Sequence, residues 1–114
     1  MSKDINIFLE HILESISLIE SYTKGISKQD FLESDQIQDA VMRRLEIIGE
    51  ASKNIPPNFR TLHPDIPWRE ISGMRDVLIH EYFGVDLELT WTTVKENLPS
   101  LKQKLSLILR NPNI

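Results

Sequence analysis

The sequence predicts an all-α fold, four main helices in an up-and-down bundle with a broken last helix and one long loop. Three observations lead there. Long segments carry apolar residues at spacings of three and four, the mark of one buried helical face. No segment alternates like a strand between hairpin turns, and there is no glycine-rich phosphate loop or internal repeat. Helix-ending and helix-starting residues, Gly25, Asp35, Gly84, Asp86 and a group of prolines, fall between the periodic segments.

The first helix is expected from Asp4 to about Lys24, with Ile5, Phe8, Leu9, Ile12, Ile16 and Ile19 on its inner face and Gly25 taking the left-handed conformation after it. Ser27 begins a short turn of helix over Lys28 to Leu32. Asp35 is expected to cap a second long helix running to about Asn54, with the stripe Ile37, Val41, Leu45, Ile48, Ala51 and Ile55. Ala40 and Gly49 would let another helix come close. The opposite face carries Arg43, Arg44, Glu46, Glu50 and Lys53, a pattern that suits a charged ladder or an interface better than a paired-carboxylate site.

From Ile55 to Pro67 four prolines forbid a continuous helix and mark an ordered loop. Pro67 is expected in the first turn of the next helix, which runs to Tyr82 or Phe83 with Trp68, Ile71, Met74, Leu78 and Tyr82 near one stripe. Gly73 lies inside that helix, at a cost of about 1 kcal/mol relative to alanine, and suggests that another group approaches it closely. Asp86 caps a further helix through Leu87, Leu89, Trp91, Val94 and Leu98, and Pro99 opens or kinks a last one through Leu101, Leu105, Ile108 and Leu109.

Length and composition bound the function. A chain of 114 residues is one domain by size, 1–114. No apolar run approaches the roughly 20 residues needed to span a bilayer, and the first residues lack the apolar core of a signal peptide, so a cytoplasmic protein with neither membrane segment nor export is expected. There are no cysteines, which excludes disulfides, thiolate metal sites and a cysteine nucleophile. His11, His63 and His80 are too far apart in the chain to form a local metal-ligand pair, so neither metal nor cofactor is suggested. His11 reads as a surface or packing residue and His63 as structural. The net charge of −4 argues against binding nucleic acid by bulk electrostatics, leaving any RNA contact local.

Chemistry concentrates in one stretch, Met74 to Asp86, which holds Arg75, Asp76, His80 and Tyr82 between apolar residues. On a helix, Tyr82 falls about 20° from Arg75, while His80 lies about 140° away. Asp76 and His80 are four apart, so the carboxylate can orient the imidazole. Arg75 and His80 reach one substrate only if the arginine wraps round, if the helix distorts near its end, or if a second copy completes the site; the two-copy site is favoured. An imidazole that takes a 2′-hydroxyl proton and a guanidinium that neutralises a phosphorane-like transition state would cleave RNA without a metal. Spacing alone is weak evidence, because an arginine and a histidine five apart usually serve as a surface ion pair and a packing or capping residue.

Arg75-Asp76-Val77-Leu78-Ile79-His80-Glu81-Tyr82 resembles the Arg-x4-His-x-Tyr motif of HEPN-domain ribonucleases, specifically the HepT-like toxins. Arg43 to Ala51 is similar to that family's second-helix segment, and Tyr82 to Asp86 to its link into the fourth helix. The resemblance covers almost the whole chain. It implies a HEPN-like bundle of four to five helices that forms a homodimer with the motifs of both copies lining one cleft, acting as a metal-independent ribonuclease. Arg75 and His80 would carry catalysis, with Asp76 in the polar position after the arginine. The implied partner is a minimal nucleotidyltransferase antitoxin that transfers adenylate onto Tyr82. The implied substrate is RNA, tRNA and mRNA both remaining open. Two other readings stand beside the toxin: a noncatalytic HEPN-like module that serves as adaptor for the nucleotidyltransferase, and a plain structural bundle in which Arg75 pairs with Glu46 or Glu50 and His80 caps its helix.

Overall fold

A computed structural model describes residues 3–73 and 86–110. The described residues form α1 (Lys3–Thr23), α2 (Lys28–Glu33), α3 (Asp35–Lys53) and α4 (Pro57–Leu62), then the helical start of α5 at 68–73. After 74–85, the chain is described again as α6 (Leu87–Thr92), a π-helical turn (Thr93–Asn97) and α7 (Leu98–Arg110). Among the described residues there is no strand. No described helix is long and apolar enough to cross a membrane.

The core is the apolar stripe of α1 laid on that of α3. Leu9, Ile12, Ile16 and Ile19 are fully buried against Val41, Leu45 and Ile48, and among the described residues α1 with α3 is the most extensively packed helix pair. Each such side chain contributes about 1.5–3 kcal/mol by leaving water. Leu98, Leu101, Leu105 and Ile108 of α7 join the same core, and α7 lies along α1, where Lys102 Nζ meets Glu20 Oε1 at 2.7 Å. The α1 stop is as expected, with Gly25 at φ 75° in the left-handed region.

Capping decides where the helices begin, and here the structure corrects the sequence reading by a residue. Ser27 caps α2 through a reciprocal pair, Asp30 N–H donating to Ser27 Oγ at 3.0 Å and Ser27 N–H donating to Asp30 Oδ2 at 2.9 Å. The cap of α3 is Ser34, whose Oγ accepts from Ile37 N–H at 3.2 Å; Asp35, the expected cap, is the first helical residue. Ser34 closes α2 and opens α3, because its own N–H bonds back to the Phe31 carbonyl at 3.3 Å. With no linker left, Gln38 Nε2 reaches back to the carbonyls of Phe31 and Leu32 and satisfies the end of α2.

The proline-rich stretch holds more structure than a loop. Pro57 opens the six-residue α4, since a proline breaks a helix from within and fits its first position. Buried Phe59 anchors α4 to the core. Pro67 stands just before α5, its carbonyl accepting from Ile71 N–H at 3.1 Å. Apart from its chain neighbours and its own helix backbone, no heavy atom of the described residues lies within 4 Å of a Cβ built on Gly73, so the close approach expected there is not found among them.

Asp86 caps α6 as expected, Oδ1 accepting from Leu89 N–H at 3.0 Å. Leu89 is 60% exposed, and the neighbouring Thr90 is buried, its hydroxyl satisfied by the Asp86 carbonyl at 2.9 Å. The break expected at Pro99 is spread over the preceding turn. Pro99 has no N–H to give the Lys95 carbonyl, and the widened turn before it bonds Leu98 N–H to Thr93 O.

Two measurements of urea unfolding check this account. Ser27→Ala should cost about 1 kcal/mol by removing half of the reciprocal cap. Phe31→Ala should cost about 3–5 kcal/mol, because the ring is fully buried and packs 5.3 Å from Trp91.

Candidate functional site

Arg75, Asp76, His80 and Tyr82 lie outside the described residues, and the structure describes the two flanks that hold their segment. On the incoming side, α5 begins under tight control. Trp68 is buried and its Nε1–H donates to the His63 carbonyl at 3.0 Å, with Phe59 packed edge-on at 6.2 Å. His63 is itself buried, its ring 4.6 Å from that of Phe59, which gives it the structural role its place before a proline suggests. Ile71 is buried, and Ser72 Oγ lies 2.9 Å from Ser52 Oγ on α3. On the outgoing side, the Asp86 cap and the Thr90 bond to its carbonyl fix the first turn of α6.

Arg60 closes the incoming flank from α4. Its Nε–H donates to the Ile55 carbonyl at 3.1 Å, its Nη2 to the Ser52 carbonyl, and its guanidinium stands 5.9 Å from the centre of the Trp68 ring. A long cation thereby bonds Ser52 in the last turn of α3, where the helix dipole favours it, and Ile55 just past the helix.

A second polar grouping sits on the outer side of the α1–α3 pair. A groove of about 390 Å³ is lined there by Phe8, His11, Arg43, Glu46, Ile47 and Glu50. Arg43 Nη1 lies 3.8 Å from Glu46 Oε2, three residues on, with both side chains well exposed. This agrees with the charged-ladder reading of that face, and such an exposed pair adds little to stability. His11, read from sequence as a surface or packing residue, is exposed and faces this groove. Among the described residues no three His, Asp or Glu side chains converge to hold a metal ion.

Sequence reasoning missed the polar link between α3 and α5. Ser52 and Ser72 are twenty residues apart, and no local pattern joins two serines at that separation; only the fold pairs them.

The chain is similar to several proteins of known sequence. Over 109 residues it is 56% identical to a Methanocaldococcus jannaschii protein named "Gamma-glutamylcyclotransferase and putative RNase", covering 96% of this chain and 49% of that protein. The chain thus spans about half the length of that relative. It is 61% identical over 97 residues to "Probable ribonuclease HepT" of Thermococcus cleftensis, covering 85% of this chain and 88% of the relative. It is 47% identical over 103 residues to a "Putative RNase" of Caldanaerobacter subterraneus subsp. tengcongensis, covering 90% and 92%. No solved structure matches the chain. The family model described as "Ribonuclease HepT-like" matches residues 12–108, and with these relatives it shows that the chain belongs to the HepT-like ribonuclease family.

Proposed function

We propose that this chain is a metal-independent ribonuclease and the toxin of a toxin–antitoxin pair, a single domain over 1–114 that works in the cytoplasm as a homodimer. The observation that carries this reading is the sequence Arg75-x4-His80-x-Tyr82 inside a chain that matches the HepT-like family from 12 to 108. Relatives named as ribonucleases support RNA as the substrate.

The chemistry follows from the residue types. His80 takes the proton of a ribose 2′-hydroxyl, and the freed oxygen attacks the adjacent phosphorus. Arg75 holds the phosphate oxygens as charge builds on them, through charge-assisted hydrogen bonds. The bond to the 5′-oxygen breaks, that oxygen takes a proton from solvent, and the products end in a 2′,3′-cyclic phosphate and a 5′-hydroxyl. Asp76 fixes the imidazole tautomer. On an ideal helix Arg75 and His80 would fall about 140° apart, so in this reading a second copy completes the cleft.

Tyr82, within about 20° of Arg75 on a helix, is the position where neutralisation would act. A minimal nucleotidyltransferase antitoxin would form a bond between the phenol oxygen and the α-phosphorus of a nucleoside triphosphate, releasing pyrophosphate. The added phosphodiester is bulky and negative, and it would repel RNA phosphate from Arg75.

Three outcomes are expected. His80→Ala loses RNA cleavage by roughly 10² to 10⁴-fold with dimer and fold intact, measured on a labelled RNA alongside circular dichroism. EDTA leaves cleavage by the parent protein unchanged. Tyr82→Phe keeps cleaving RNA and escapes adenylylation by the partner. Undiminished cleavage by His80→Ala would sink the catalytic assignment. Tight binding of the nucleotidyltransferase with no RNA turnover would replace the enzyme with the adaptor module, a reading that the net charge of −4 favours.

A further inference from the structure

The start of α5 is tied to α3 by a directed chain of hydrogen bonds. Ser52 is fully buried and has a single hydroxyl proton, which it gives to the Gly49 carbonyl at 2.9 Å. Ser72 Oγ lies 2.9 Å from Ser52 Oγ, so Ser72 is the donor in that second bond. The chain runs from Ser72 to Ser52 to Gly49, from one helix into the other.

A second tie lies one turn earlier and ends on the same residue. Trp68 is held by the His63 carbonyl and flanked by the Arg60 guanidinium, and Arg60 Nη2 donates to the Ser52 carbonyl. Ser52 therefore receives α5 through its hydroxyl and α4 through its carbonyl. Trp68 and Ser72 are four apart, about 40° round the helix, so both ties lie on one face. Ile71, buried between them, seats the same turn in the core. The two ties, on one face, fix both its height and its rotation.

We propose that the Ser72–Ser52 hydrogen bond is a positioning device for RNA cleavage, setting the rotation of the helical start 68–73 from which the chain enters the Arg75 and His80 segment. The inference rests on the ribonuclease reading above. Its leverage is geometric: turning a helix by about 10° carries a side-chain tip about 6 Å from the axis through roughly 1 Å. A misplacement of about 1 Å can cost on the order of 10²-fold in rate. The effect on folding is small by comparison. The Ser52 proton is already spent on Gly49, so losing the Ser72 hydroxyl strands no buried donor.

Ser72→Ala in the full chain should lower kcat on a labelled RNA about tenfold or more, leave KM within about twofold and hardly move the urea midpoint. Ser72→Thr, which keeps a hydroxyl, should recover most of kcat. Ser52→Ala, which removes the acceptor and lets the half-buried Ser72 hydroxyl hydrate, should repeat the loss even if Ser72→Ala folds poorly. Thr61→Ala removes an exposed hydroxyl bonded to the Pro57 carbonyl and should change nothing. A kcat within about twofold of the parent for both alanine variants, or no recovery by threonine, overturns the proposal. If the parent protein fails to cleave RNA, the ribonuclease reading falls on its own. The imidazole resonances of His80 then decide the positioning: they shift in Ser72→Ala while those of His11 stay, or they stay too and the proposal is lost.

Discussion

The structure depends on the contact of α1 with α3. Four α1 side chains, Leu9, Ile12, Ile16 and Ile19, retain no exposure, and they meet Val41, Leu45 and Ile48 across a continuous apolar seam. Apolar burial on this scale offsets the entropy of ordering two helices about twenty residues long. The other elements are added to that pair. α7 lies along α1, α2 is pinned by Phe31, and α6 reaches the assembly through Trp91 tilted against that same ring. The helical start of α5, just before the motif in the chain, is tied to α3 through Ser72 and Ser52.

Much of this architecture was legible in the sequence. A period of three and four identified α1, α3 and α7, because a stripe of isoleucine and leucine at that spacing has few other uses. The errors have physical causes. Asp35 and Ser34 both suit a cap, and the choice fell to Ser34 because α2 ends on the same residue. Which side of α6 would be buried had no clear apolar signal, and Thr90 goes inside because its hydroxyl is satisfied by its own helix. α4 was hidden because prolines signal both the end of one helix and the start of another. The residues of the motif were legible as chemistry, through the types Arg, Asp, His and Tyr at set spacings. Their support was not, because Ser52, Ser72, Arg60 and Trp68 are brought together by the fold and by no local repeat.

The distribution of cations bears on how such a protein would hold RNA. Lys95 lies 4.8 Å over the Trp91 ring and donates to the Thr23 carbonyl, Lys102 pairs with Glu20, Lys28 stands 3.6 Å from Glu88, and Lys104 donates to the Asp65 carbonyl. Arg60 is spent on the end of α3. In a chain of net charge −4 there is little field to gather nucleic acid from a distance. Recognition in the proposed reaction would therefore be short-ranged and governed by fit at the cleavage site, with modest dependence on salt.

The π turn at Thr93–Asn97 has a consequence for the register of the C-terminal part of the chain. It takes up one residue more than an α-helical turn would, which amounts to about 100° of rotation absorbed without leaving the helix. Val94 before the turn's end and Leu98, Leu101 and Leu105 after it all reach the same core. The turn thus works as a phase adjuster between two stretches of sequence, letting α6 answer to α2 while α7 answers to α1.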